Sequence, residues 1–135
     1  MQNVEVRNLS FEVGQILTVT GVPNQNGDRF SINFGHSEQD IALHVDVRFN
    51  YGDTQKEVVF NSCHSGNWHK DHLIAKGFPF NYDEKFEVYI LFRKEQFVVT
   101  LPDESELSFP NRHKCEKYNF IFFANEVKIH RIEVI

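Results

Sequence analysis

The chain is poor in the residues that break or staple a fold. Of its 135 residues only four are proline and seven glycine, which excludes collagen-like, disordered and low-complexity classes. Its two cysteines, Cys63 and Cys115, are too few for a disulfide framework. They are expected to be free thiols, although one bridge is open to them. No apolar run reaches transmembrane length, so no direct membrane insertion is expected. The opening segment, Met1-Gln2-Asn3-Val4-Glu5-Val6-Arg7-Asn8, lacks the continuous apolar stretch of a signal peptide. Synthesis in the cytosol is therefore expected, with any extracellular work reached by release without such a peptide. Basic residues are in deficit, with a net charge of −5. A phosphate-backbone binder needs a concentrated Lys/Arg surface, so no nucleic-acid partner is expected. No run of like charge suggests an anionic-membrane anchor. Helical periodicity with caps is also missing.

What the chain does have is phenylalanine, fourteen copies of it, set in short strand-like runs. These are Leu17 to Thr20, Phe30 to Phe34, Ile41 to Phe49, Glu57 to Asn61, Phe86 to Phe92, Phe97 to Leu101, Phe120 to Phe123 and Val127 to Ile135. Val4-Glu5-Val6 reads as a first strand. Turn signals punctuate them at Asn26-Gly27-Asp28, Tyr51-Gly52-Asp53, Ser65-Gly66-Asn67, Asn81-Tyr82-Asp83 and Pro102-Asp103. This spacing predicts an all-β sandwich or barrel. With no repeat or linker, residues 1–135 read as one domain. Phe86 to Phe92 alternates less cleanly, which suits a strand covered on both faces or at a crowded edge. In the last run Val127 and Ile129 share one parity, Ile132 and Val134 the other. That change fits either a local bulge or a second apolar face covered by another copy of the chain.

Ile41 to Phe49 is the most informative stretch. Leu43, Val45, Val47 and Phe49 alternate with His44, Asp46 and Arg48, which predicts a strand with a buried face and a polar one. The polar face sets an imidazole, a carboxylate and a guanidinium in a row, about 7 Å apart. Three planar hydrogen-bonding groups of different character suit a small polyhydroxylated ligand. Asn61 ends a later run, and Trp68, the only tryptophan, follows among polar neighbours from His64 to His72. Such flanks favour an exposed plate, on which the C–H face of a sugar packs while its hydroxyls meet directional partners.

These residues resemble a known family. His44-x-Asp46-x-Arg48-Phe49-Asn50, Val59-x-Asn61-Ser62 and Trp68-x-x-Asp71 are similar to the galectin signature His-x-Asn-x-Arg, Val-x-Asn, Trp-x-x-Glu-x-Arg. Leu9-x-Phe11-x-Val13-Gly14, Phe30 to Gly35, Phe78-Pro79-Phe80, Leu101-Pro102-Asp103 and Phe109-Pro110-Asn111-Arg112 recur at matching places. Arg48-Phe49-Asn50-Tyr51-Gly52 resembles the congerin-type fish galectins. The resemblance implies a jelly-roll β-sandwich of two antiparallel sheets, with a carbohydrate-recognition site on one of them. It implies that His44 and Arg48 hydrogen-bond the axial 4-hydroxyl of galactose, that Asn61 serves the 6-hydroxyl, and that Trp68 stacks on the ring. It further implies β-galactoside-containing glycans and glycoproteins as partners, a homodimer of prototype type held through the chain ends, and cross-linking of glycans.

Three positions depart from the pattern. Asp46 stands for Asn and can only accept from the sugar or pair with Arg48. Asp71 stands for Glu and has a shorter reach. Leu73 stands for the second Arg, leaving the acid without a cationic brace, so restoring Arg at 73 with Glu at 71 is expected to strengthen binding. The rival reading is a galectin-fold protein that has drifted from lactose, toward another hexose such as a mannoside or toward a structural or interaction role. Cys63, His64, His69, Asp71 and His72 invite a metal, but on a strand His69 and His72 fall on opposite faces and zinc spacing is missing. Asp103, Glu104 and Glu106 look like turn chemistry rather than a hydrolase pair. No metal, cofactor or catalytic residue is expected, and the chain is read as not an enzyme.

Overall fold

The computed structural model describes residues 4–135. Its strands are β1 (Val4–Glu12), β2 (Ile16–Pro23), β3 (Arg29–Ser37), β4 (Asp40–Tyr51), β5 (Thr54–His64) and β6 (Asn67–Trp68). They continue with β7 (Leu73–Ile74), β8 (Phe86–Phe92), β9 (Gln96–Thr100), β10 (Glu106–Pro110), β11 (Lys117–Asn125) and β12 (Val127–Val134). One antiparallel sheet runs β1-β11-β3-β4-β5-β6, with β7 also on β5, and the other runs β10-β9-β8-β2-β12. There is no helix among the described residues, and so none long and apolar enough to cross a membrane. The two sheets enclose one apolar core, the sandwich that the alternating runs predict.

The core explains the phenylalanines. Phe30, Ile32 and Phe34 from β3 and Leu43, Val45 and Val47 from β4 are fully buried against Val88, Ile90 and Phe92 from β8. Phe34 meets Phe11 edge-on at 5.2 Å and Phe97 at 4.9 Å. Such aromatic pairs each add about 0.5–1.5 kcal/mol beyond the area they bury, and no bridge supplements them. Cys63 is buried and Cys115 half-buried, both as free thiols.

Two details differ from the reading of the sequence. β8 is neither an edge nor covered on both faces. It lies between β2 and β9, and its burial alternates strictly, with Phe86, Val88, Ile90 and Phe92 inside and Glu87 and Tyr89 exposed. The parity change in β12 is a bulge. Its pairing with β2 slips between Ile129 and Arg131, so the extra residue, His130, returns Ile132 and Val134 to the side of Val127 and Ile129. All four are half-buried and pack on the core, so the expected outward-facing isoleucine or valine pair does not arise.

The sheet edges are unequal. β1 and β12 are long edges, and they lie at the same side of the sandwich because only residues 13–15 separate β1 from β2, the neighbour of β12. Gly14 makes that tight crossing with a φ of 96°. The opposite edges are blunt. β6 has two residues, and β10 ends on Pro110, which has no N–H to offer. Near the β3–β4 turn, Gly35 sits at a register shift where a Cβ would collide with the Asp40 carbonyl oxygen.

Candidate functional site

Three strands build a polar patch on the face of the first sheet turned away from the core. Antiparallel pairing of β3 and β4 sets Arg29 opposite Arg48, Ser31 opposite Asp46 and Asn33 opposite His44. Pairing of β4 and β5 sets Asn61 beside His44 and Val59 beside Asp46. Although they face outward, His44 and Asp46 are 8% and 0% exposed. Their neighbours cover them, so β4 is buried on both faces.

Asp46 is the hub. Its Oδ1 accepts from Arg29 Nε at 3.1 Å and its Oδ2 from Arg48 Nε at 2.8 Å. His44 Nε2 lies 3.8 Å from Oδ2, too far for a hydrogen bond. Burial opposes the charge of Asp46, but His44, Arg48 and Arg29 outweigh it and hold the carboxyl below its ordinary value. Both guanidiniums rest over the Tyr51 ring, at 4.4 Å for Arg29 and 5.1 Å for Arg48. Asp46 takes the second of the two options the sequence leaves it, pairing with Arg48, and thereby fixes the arginine fork.

His44 is set by Asn33. The Asn33 amide donates to Ser31 Oγ at 3.0 Å and to the Phe122 carbonyl at 3.3 Å, which turns its Oδ1 toward His44 Nδ1 at 2.5 Å. An amide oxygen only accepts, so Nδ1 carries a proton, and in the neutral form of the ring Nε2 is the acceptor. Arg48 beside it can only donate. A hydroxyl placed between them finds one acceptor and one set of donors, the complement of its own capacity.

Trp68 pairs across from Cys63 on β6, is 50% exposed, and stands 4.6 Å from the His44 ring at a tilt of 52°. Asn61 donates from Nδ2 to the His69 carbonyl at 3.0 Å, leaving one Nδ2 hydrogen uncommitted in that bond. Its Oδ1 accepts from Ser62 N and from Arg112 Nη1 at 3.2 Å. Together these side chains line an open cavity of about 240 Å³.

Five of the six expected residues meet there: His44, Asp46, Arg48, Asn61 and Trp68. Asp71 does not line the cavity; His72 does. Asp71 lies in the irregular segment between β6 and β7, where its N–H bonds His69 Nδ1 and its carbonyl accepts from Arg112 Nη2. His69 and His72 therefore sit on an irregular loop rather than on two faces of a strand.

Sequence reasoning missed Arg29, Asn33, Tyr51 and Arg112. The first two were findable, because the polar row Arg29, Ser31, Asn33 becomes adjacent to His44, Asp46 and Arg48 once the β3–β4 register is drawn. Arg112 arrives from the connection after β10, and the Phe109-Pro110-Asn111-Arg112 motif that contains it gives no sign of a role at the site.

A family model described as galactoside-binding lectin matches residues 3–134. The chain belongs to that family. A β-galactoside-binding lectin of Electrophorus electricus is 40% identical over 99% of this chain and 98% of its own length. Congerin-2 of Conger myriaster is 40% identical over 93% of this chain and 92% of its own. A structure of congerin II liganded by lactose and MES superposes with a TM-score of 0.94 at 38% identity, covering 99% of this chain and all of that one. A homodimeric agglutinin from chicken liver gives 0.92 at 28% identity, with 99% and 100% covered. The family consists of lectins, so this member is a binding protein and not an enzyme.

Leu73, the residue that stands for the second Arg, is turned toward the core. Leu73 pairs across from the fully buried Phe60 and packs on the core. Arg112 ties Asn61, Ser62 Oγ (3.0 Å) and Asp71 together, reaching the backbone carbonyl of Asp71 rather than its carboxylate. Leu73→Arg, alone or with Asp71→Glu, is therefore expected to thrust a charge against the core. The urea midpoint should fall, by an amount worth about 1–3 kcal/mol, with no gain in sugar affinity. A tighter-binding variant of undiminished stability would refute this.

Proposed function

We propose that the chain binds β-galactosides in the cavity beneath Trp68, and that residues 1–135 act as one carbohydrate-recognition domain. The observation that carries this reading is the fixed pairing of an acceptor, His44 Nε2, with a donor fork, Arg48, beside a half-exposed indole. An axial 4-hydroxyl reaches both groups when the sugar's C–H face lies on Trp68, and an equatorial one points away. Discrimination then comes from buried polar groups left unpaired by the wrong epimer. In this reading Asn61 serves the 6-hydroxyl with its remaining amide hydrogen, Asp46 positions Arg48 rather than touching sugar, and Asp71 acts through its backbone. The lactose-liganded congerin II supports the ligand class.

The same reading includes a homodimer joined along β1 and β12, whose long edges lie side by side. Val4 and Ile135 are exposed there, at 37% and 67%. A two-fold axis would cover both edges with their own copies, and two sugar sites on one particle would cross-link glycans. The homodimeric chicken agglutinin supports this assembly. Free thiols at Cys63 and Cys115 are compatible with a cytosolic as well as an extracellular life.

A second reading, preference for another hexose such as a mannoside, is favoured by the departure of Asp71 and Leu73 from the cavity wall and the presence of His72 in it. A glycan array with soluble lactose as competitor separates the two. Galactoside-terminated glycans should dominate and be displaced by lactose, whereas mannosides unaffected by lactose would establish the rival. Sedimentation of the same sample should give a dimer mass; a persistent monomer would remove cross-linking while leaving the sugar site standing.

A further inference from the structure

A second cavity, about 470 Å³, opens beside the β5–β6 turn, and His36, Asp40, His64 and His113 are in its wall. Three of these converge. Asp40 Oδ1 lies 3.5 Å from His64 Nδ1 and 3.3 Å from His113 Nδ1, and the three ligand atoms all fall within 4.8 Å of one another. Neither contact is a hydrogen bond, and Oδ1 is shielded from solvent with no hydrogen-bond partner among the described residues. A carboxylate oxygen facing two imidazole nitrogens without bonding either is costly unless something else satisfies it.

The separations fit a cation. Two ligands about 2.0–2.1 Å from a tetrahedral ion stand about 3.3–3.4 Å apart, which matches both oxygen–nitrogen distances. The backbone holds the three groups in place. Gly66 N bonds the Gln39 carbonyl at 2.9 Å, joining the turn after His64 to the turn before Asp40. Buried Asn111 anchors the loop of His113 through Lys94 O, Cys115 O and Tyr118 Oη. His64 is the exposed member, with its side chain 80% accessible. The nearby positive charge is Arg112, which donates from Nη1 to Asn61 and Ser62 and from Nη2 to Asp71.

We propose that Asp40, His64 and His113 form a binding site for a divalent first-row transition ion, zinc above all, on the far side of Arg112 from the sugar cavity. Two imidazoles and one carboxylate suit zinc or copper and disfavour magnesium and calcium, which want oxygen ligands. The set is invisible in the sequence because its ligands come from the start of β4, the end of β5 and the connection between β10 and β11. It is independent of the sugar reading, and its effect is to clamp the ends of β4 and β5 to the loop of His113.

The test is calorimetric titration of the tag-free full chain with zinc chloride, and with magnesium chloride in parallel. Wild-type protein should take up one zinc at micromolar concentration, gain melting temperature with it, and give no saturable response to magnesium. Loss of even an outer partner of a metal ligand costs about 10–100-fold in affinity, so His64→Ala should weaken zinc at least that much. Because His64 is exposed and outside the sugar site, this variant should fold and bind lactose as wild type does. In wild-type protein the ring nitrogen resonances of His64 and His113 should shift together on adding zinc, while those of His69 and His72 stay in place. No saturable zinc uptake, or uptake unchanged in His64→Ala with the shift at His69 and His72, would overturn the site.

Discussion

Arg48→Ala and Trp68→Ala should each remove lactose binding from calorimetric detection while the protein stays folded. Arg48 is the charged donor paired with the His44 acceptor in the proposed site, and a hydrogen bond to a charged group is worth about 1.5–3 kcal/mol. That is roughly a 10–150-fold loss for a ligand that makes few contacts to begin with. Trp68 provides the apolar plate, and with half its surface exposed it contributes little to the core. Near-ultraviolet ellipticity and urea midpoints close to wild type would confirm that folding is intact. If both variants bound lactose like the parent, the cavity on β4 and β5 would be the wrong place for the sugar.

Asp46→Ala should cost more stability than any other single change in the site. The side chain is 1% exposed and bonds two arginines. Removing one partner of a buried ion pair costs about 3–5 kcal/mol; the arginines keep about a quarter of their exposure, which lowers the expected loss to about 2–3 kcal/mol. The dependence on acidity follows from the depressed folded value. Above the unfolded carboxylate value of about 3.9 the contribution is complete, because both states are ionised. As the pH falls from there through the lower folded value, the unfolded chain binds the proton first and the contribution is lost. Wild-type stability should therefore drop steeply below about pH 4, and Asp46→Ala should show a flatter limb over that window. Parallel acid limbs in urea titrations at a series of pH values would mean that Asp46 holds no special charge.

Most of the sandwich was legible because its strands alternate, and alternation survives whatever the partners are. β2 to β5, β8, β9, β11 and β12 could be read this way. β6 and β7 escaped because two residues cannot display a period, and β10 because Glu106 to Pro110 follows an acidic turn and ends on proline. The bulge at His130 is a case where sequence posed the right question without an answer. A parity change has two physical solutions, and only the neighbouring strand decides between them. In the site, residues on one strand or one turn were visible as motifs. Arg29 and Asn33 needed a register, and Arg112 needed the third dimension. The placement of Leu73 was hidden for the same reason: its side of the sheet is set by Phe60, a residue thirteen positions earlier.

The inequality of the sheet edges limits how large an assembly can grow. A sandwich with pairing edges at both sides could add copies end to end without stopping, as fibrils do. Here β6 is too short and β10, with Pro110, too poor in donors to extend a sheet. Backbone pairing between copies is left with the β1 and β12 side alone, and once two such sides meet, nothing remains to recruit a third. In the proposed dimer this geometry would act as a chain terminator: concentration would fill the two-membered state without driving polymerisation through the strands.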